Sequence, residues 1–186
     1  MTGPDPVTWA AAESAELLSG LGDRWRYVQG VVAAARTVGE TFEREDGEQL
    51  VAAAHLHAAG HAPALHVTGL FQLDGARHVR AHGHERLAGL VAHQTESRYE
   101  LTMRGYASHL DAYPAERSEV SAALIYCVMT TGHDGARMTF ADRVAEIQRR
   151  NGPATLLGEA LRRALPDLAL AIAGITVRLR RFGRVA

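Results

Sequence analysis

Helical periodicity is the feature that most restricts what this chain can fold into. Nearly every long segment repeats its apolar residues at spacings of three and four, as Trp25, Val28, Val32 and Ala35 do after Asp23. No segment sustains the alternation of apolar and polar residues that a half-buried strand requires. The pattern therefore predicts an all-α fold.

Length and composition indicate how many domains to expect. A chain of 186 residues with 47% hydrophobic and 22% charged residues can bury a single core of ordinary size. No linker rich in Pro, Gly or Ser divides it, and no repeat of solenoid period is visible. We expect a compact single-domain helical bundle, with residues 1–20 as an N-terminal helical arm and residues 21–186 as the domain.

Capping residues and chain breakers predict the helix boundaries. Thr8, Asp23, Asp46 and Asp74 are suitable residues to begin the first four helices, and Gly60 is expected to end the third. Later helices are expected at about residues 85–95, 97–111, 118–131, 140–150, 154–164 and 166–182, with Ser118, Thr139 and Asp167 as starts.

Several functional classes are disfavoured by what the sequence contains. The formal charge of −1 provides no overall attraction to nucleic acid, and no apolar run approaches the roughly 20 residues that a membrane helix needs. One cysteine cannot form an internal disulfide, and the N-terminus has no secretory pattern. Phosphate-binding loops, dinucleotide motifs and hydrolase elbows are missing from the sequence. We expect a cytoplasmic protein with neither nucleic acid nor membrane as a partner.

Five segments between Asp23 and Arg150 form a recognisable series. They are DRWRYVQGV, LVAAAHLHAAGHAPAL, LDGARHVRAHG, LAGLVAHQTESR and IYCVMTTGHDGARMTFADRVAEIQRR. In order and spacing, these segments resemble the HD superfamily of proteins. The resemblance implies a mainly helical fold and descent from metal-dependent phosphohydrolases, whose metal ligands follow the order His, His-Asp, Asp.

The ligand positions of that family are mostly lost in this chain. The first histidine corresponds to Tyr27, the His-Asp pair to His57 and Ala58, and the distant aspartate to Val128. Alanine and valine side chains supply no electron pair, and a tyrosine with a pKa near 10 is a poor ligand at neutral pH. The resemblance therefore implies a degenerate site, for which we expect no metal and no cofactor.

Other histidines extend the set of candidate residues. The additional histidines that some family members use for a second metal correspond to positions near Phe71 and around His93-Gln94, where His93 alone is a histidine. His57 and His61 lie four residues apart, but two imidazoles without a third ligand bind zinc poorly. We interpret them as polar groups of a pocket wall.

The candidate site combines these positions with neighbours of the lost ligands. We predict Tyr27, His57, His61 and His93 as acid, base or hydrogen-bonding groups, because imidazole can transfer protons near neutral pH. The predicted ligand-binding residues are Arg77, Cys127, Val128 and Thr130.

Three functions are compatible with this site. The favoured hypothesis is a metal-free HD-like protein that binds a small organic ligand in the former active-site cavity, where it could catalyse cyclisation, isomerisation or elimination by proton transfer. A non-catalytic relative that binds a partner protein or senses a metabolite is the alternative. A residual metal-dependent phosphohydrolase is third. The sequence leaves open whether the protein is an enzyme, and it is compatible with a homo-oligomer.

Overall fold

The computed structural model describes residues 5–184, and its regular structure is helical throughout that range. Within it, the only pairing of strand type is a single bridge between Thr131 and Arg137. The all-α prediction is therefore confirmed. The helices are α1 (Pro6–Leu18), α2 (Asp23–Gly39), α3 (Arg44–Leu56), α4 (Phe71–Ala81), α5 (Glu85–His93), α6 (Arg98–Met103), α7 (Ala107–Asp111), α8 (Glu119–Met129), α9 (Phe140–Asn151) and α10 (Leu156–Arg181), with 3-10 turns at Ala59–His61, Pro63–Leu65 and Gln94–Glu96.

Helix α3 is the centre of the bundle. Its second half is fully enclosed, with Leu50 and Leu56 and the three alanines between 52 and 54 all 0% exposed. Alanines on several faces allow α1, α2 and α8 to pack closely around this helix. The core continues through α4, α5 and α8 as one apolar cluster.

The first helix packs into this core. Ala10 and Leu18 are fully buried, and Ser14 Oγ lies 3.1 Å from His55 Nδ1 of α3. The helix begins at Pro6, three residues before Trp9, which was expected to follow a Thr8 cap. The Asp5 carboxylate accepts hydrogen bonds from the backbone N–H groups of residues 7 and 8, so Asp5 and not Thr8 is the N-cap.

Two aspartates predicted as helix caps have other roles. Helix α3 starts at Arg44, and Asp46 in its first turn pairs with Arg86 at 2.7 Å. Helix α4 starts at Phe71, so Asp74 lies within the helix and is 1% exposed. Its carboxylate accepts hydrogen bonds from the backbone N–H groups of residues 67–69. Asp74 therefore anchors the preceding loop against α4.

Two regions after residue 97 are divided into helices differently from the prediction. Gly105, with φ 81°, separates α6 from α7 where one helix was expected. Residues 156–181 form one helix that contains Pro166, where two helices were expected. Asp167 lies inside this helix and accepts a hydrogen bond of 2.5 Å from Tyr99 Oη. Tertiary packing along α10 thus overrides the local breaking effect of the proline.

Ser118 and Thr139 are confirmed as residues that begin helices. Ser118 and Ser121 form a capping box at the start of α8, and Thr139 accepts a hydrogen bond from Asp142 N at the start of α9. No helix within residues 5–184 combines the length and apolar character that crossing a membrane requires.

Candidate functional site

A cavity of about 260 Å³ lies where six α-helices and two 3-10 turns converge. Its walls include Tyr27 of α2, His57 just after α3, Val128 of α8, Ile147 of α9 and Leu161 of α10. A second apolar cluster on α8 and α10, which includes Met129 and Leu168, forms part of the same walls. The cavity therefore lies between the main core and the C-terminal helix pair.

The cavity brings together residues from three segments that are distant in sequence. Tyr27, His57, Ala58 and Val128, the four positions that the sequence resemblance predicts as lost metal-ligand positions, all line it. Tyr27 and Val128 also contact each other directly, since the Tyr27 hydroxyl donates to the Val128 carbonyl oxygen at 3.5 Å. Local sequence around either residue gives no reason for this contact. It depends on the packing of α2 against α8.

His57 is a buried, neutral group in the cavity wall. Its Nδ1 lies 2.7 Å from the Ala54 carbonyl oxygen, so Nδ1 carries the proton and Nε2 is left as an acceptor. Nε2 has no hydrogen-bond partner within residues 5–184. Burial lowers the pKa of His57 to about 4, although the bond to Ala54 acts in the opposite direction. At pH 7 the ring therefore presents an unpaired acceptor.

Tyr27 is the neutral hydroxyl group next to His57. Burial raises its pKa above the ordinary value for a phenol, and the nearby guanidinium of Arg143 opposes this effect only in part. The Tyr27 and His57 rings meet edge to face at 5.4 Å, and Arg143 lies over the Tyr27 ring at 5.0 Å. The phenol is held in place by its neighbours, while its hydrogen bond to the Val128 carbonyl is long.

His61 lines the cavity from the 3-10 turn that follows α3. Its ring stacks on Phe71 at a centroid distance of 4.1 Å. Burial is the main cause that lowers the pKa of His61 to about 3, so this ring too is neutral at pH 7. Helix α3 ends at Leu56, before both histidines, and within residues 5–184 no third His, Cys, Asp or Glu donor converges with them.

The cavity has one arginine without an internal counter-ion. Glu96 pairs with Arg98 at 2.8 Å, Glu100 pairs with Arg104 at 2.8 Å, and the lining residue Arg143 pairs with Glu146. In the described part of the chain, Arg24 lies within 4.0 Å of no carboxylate. Its pKa is lowered by burial and by the nearby Arg150, while the Tyr27 phenol acts in the opposite sense.

Backbone strain marks one side of the cavity. Thr95 and Glu96, both lining residues, have φ values of 48° and 56°, a left-handed region that residues with a Cβ rarely adopt. Such conformations concentrate at ligand-binding and catalytic positions, where the surrounding structure enforces them. The sequence QTES carries no glycine or asparagine that would signal this turn. Arg24, Gln72 and Arg143 were likewise missed, because single polar residues on helices carry no distinctive pattern.

The other residues predicted for the site lie outside the cavity. His93 Nε2 is 3.1 Å from the Tyr113 carbonyl oxygen, and Arg77 donates to the Leu65 carbonyl at 2.9 Å on a different face. Thr130 donates to the Tyr126 carbonyl at 2.7 Å. Cys127 is fully buried, and desolvation raises the pKa of its thiol to about 12. Residues 128 and 129 of α8 face the cavity. Because successive helical residues point in different directions, Cys127 and Thr130 do not share that face.

Comparison with known proteins provides no relative from which to transfer a function. No protein-family model, curated protein or solved structure matches this chain. The chemistry of the cavity is therefore the basis for assigning a function.

Proposed function

We propose that this protein is a metal-free descendant of the HD superfamily, located in the cytoplasm, that binds a small organic acid in the cavity between α2, α3, α8 and α10. The observation that carries the proposal is the shared cavity of Tyr27, His57, Ala58 and Val128. Two of these residues supply neutral polar groups, and two supply apolar surface. Such a lining suits an organic molecule better than a hydrated cation.

The polar groups of the cavity indicate what the ligand carries. The unpaired acceptor His57 Nε2 suits a hydroxyl or N–H donor, because an unsatisfied buried acceptor gains a hydrogen bond on binding. The uncompensated guanidinium of Arg24 suits a carboxylate. Most of the remaining walls are apolar, including Phe71 and Leu161. The ligand we propose is thus a compact aromatic or branched carboxylic acid with one additional donor.

The catalytic form of the proposal uses proton transfer within this cavity. His57 Nε2 would accept a proton from the bound molecule, and the Tyr27 hydroxyl would orient or donate to an oxygen. Binding next to a negative charge would raise the imidazole pKa towards the range in which it works as a base. Cyclisation, isomerisation and elimination are the reactions that such a pair supports.

A non-catalytic binding protein is the second candidate, and the low pKa of the histidines favours it. With pKa values of about 4 and about 3, His57 and His61 are weak bases at pH 7 in the ligand-free protein. A metabolite sensor would need these rings only as hydrogen-bond acceptors.

The test measures the melting temperature with a panel of organic acids and their neutral methyl esters. Salicylate, cinnamate and indole-3-acetate are suitable probes, because each joins an apolar body to one carboxylate. We expect at least one acid to raise the melting temperature while its ester does not. Arg24→Gln should abolish this preference, and the matched control Arg26→Gln, on the same helix but 63% exposed, should keep it.

Two further measurements complete the test. Incubation of the stabilising acid with the protein, followed by mass spectrometry, separates catalysis from binding, since only an enzyme converts the acid. Tyr27→Phe and His57→Gln should weaken binding of this acid, whether or not the protein converts it. Equal stabilisation by acids and esters, or a response that survives Arg24→Gln, would contradict the proposed ligand class.

A further inference from the structure

A cluster of two histidines and one glutamate lies away from the cavity, between α1 and α4. Glu13 of α1, His78 of α4 and His82, the C-cap residue of α4, each offer one donor atom, and these three atoms lie within 4.8 Å of one another. Glu13 and His78 are in direct contact, with Oε1 and Nε2 separated by 2.7 Å. The side chains of this pair are 18% and 16% exposed. From this geometry we propose a zinc site that joins α1 to α4.

The spacing of the histidines suits a metal. His78 lies in the last turn of α4, and His82, four residues later, is its C-cap, so the two side chains lie on the same side of the helix end. Their rings lie 4.5 Å apart, tilted relative to each other. Two imidazoles and one carboxylate form a common donor set for zinc, with a water molecule in the fourth position.

The second ring nitrogen of His82 already has the partner that metal-bound histidines require. His82 Nδ1 lies 2.9 Å from the His78 carbonyl oxygen, so Nδ1 carries the proton and Nε2 remains available to a cation. A hydrogen bond of this kind orients a metal-bound imidazole and raises its basicity. Trp9 packs next to this ring at 5.5 Å and stacks on His84 at 4.1 Å. The indole therefore forms an apolar flank of the cluster.

The change needed to bind zinc is small. Donor atoms around a tetrahedral zinc ion are separated by roughly 3.4 Å, given bonds of about 2.0 to 2.2 Å. The contact between His78 and Glu13 is shorter than this separation, and all three donor atoms lie within 4.8 Å of one another. Zinc would take the place of the proton that His78 Nε2 donates to Glu13 Oε1 in this hydrogen bond. Side-chain rotation is sufficient, because His82 is exposed and the helices need not move.

Occupancy of the site would stabilise the attachment of α1 to the domain. Apart from its apolar face, α1 is held by the bond from Ser14 to His55 and by the contact between Glu13 and His78. A zinc ion that binds only the folded arrangement would increase the free energy of unfolding as its concentration rises. The proposed function of the cavity does not depend on this site.

The experiment is a titration of the full chain, without an affinity tag and freed of metal by EDTA, with zinc chloride in a calorimeter. We expect one equivalent of zinc to bind to the wild type. His82→Ala should reduce the affinity by about tenfold or more, because one of three ligands is lost. Glu13→Gln should also reduce the affinity for zinc. His109→Ala, an exposed histidine on α7, is the matched control and should bind as the wild type does.

A separate readout links zinc to α1. Zinc should raise the melting temperature of the wild type and of His109→Ala but leave that of His82→Ala unchanged, and circular dichroism establishes that all variants fold. The inference is overturned if the wild type binds no zinc, if His82→Ala loses less than tenfold in affinity, or if His109→Ala loses as much as His82→Ala does.

Discussion

Burial determines the charge of the histidines that line the cavity. His57 is 2% exposed, and its pKa of about 4 lies well below the ordinary value of 6.5, mainly because the charged ring would lose its hydration. The unfolded chain therefore binds a proton at a pH where the native ring does not. The contribution of His57 to the free energy of unfolding is therefore fully present above pH 6.5 and is lost as the pH falls towards 4.

The corresponding prediction concerns His57→Gln. The free energy of unfolding of the wild type should decrease as the pH falls from 6.5 to 4, and the variant should show a decrease smaller by about 3 kcal/mol, because it lacks this titrating group. Urea denaturation at a series of pH values measures both. The exposed control His109→Gln should follow the wild type. An unchanged pH profile in His57→Gln would falsify the buried, neutral state of the ring.

Close approach of backbones determines how the 3-10 turn at Ala59–His61 packs against α4. A Cβ added to Gly60 would lie 1.9 Å from the Phe71 carbonyl oxygen and 2.7 Å from Gly75 N. Only a residue without a side chain allows this contact. The same contact positions His61 and Phe71, which stack on each other in the cavity wall. Packing between two elements thus shapes the site.

Gly60→Ala should separate the turn from α4. We expect a loss of about 2 to 3 kcal/mol in the free energy of unfolding, because the opposing atoms are backbone and cannot rotate away. Chemical denaturation provides the measurement. Gly20→Ala is the matched control, since a Cβ at that position would have no atom within 4 Å. Equal stability of the two variants would contradict the packing described.

The bundle as a whole is closed by α10, whose C-terminal half is attached through Arg178. The guanidinium donates to Thr41 Oγ1 at 3.0 Å and to Glu119 Oε2 at 2.6 Å. It also lies over the Phe42 ring at 3.9 Å. One side chain therefore connects α10 to the loop between α2 and α3 and to the start of α8.

Arg178→Ala should weaken this closure. The expected loss is about 2 kcal/mol in the free energy of unfolding, because a partly buried charge with several hydrogen bonds is removed. Hydrogen exchange should show faster exchange in the second half of α10 than in the wild type. Arg181→Ala, an exposed arginine at the end of the same helix, is the control. Protection of α10 that is the same in both variants would disagree with the role given to Arg178.

The sequence by itself determined that the fold is all-α and which side chains could be proposed for the candidate site. Helical periodicity and the caps Ser118 and Thr139 act within three or four residues, so they are visible in the chain without coordinates. Tyr27, His57 and Val128 could be proposed together from the order of the motifs, and all three line the cavity.

Only the tertiary structure decided which polar residues share a surface. Arg24 faces the cavity and Arg77 does not, Asp74 holds a loop where a cap was expected, and α10 continues through Pro166. The contact of Glu13 with His78 spans 65 residues. These outcomes depend on the rotation and packing of whole helices, because a helix presents different residues to each neighbour and local sequence does not specify the neighbour.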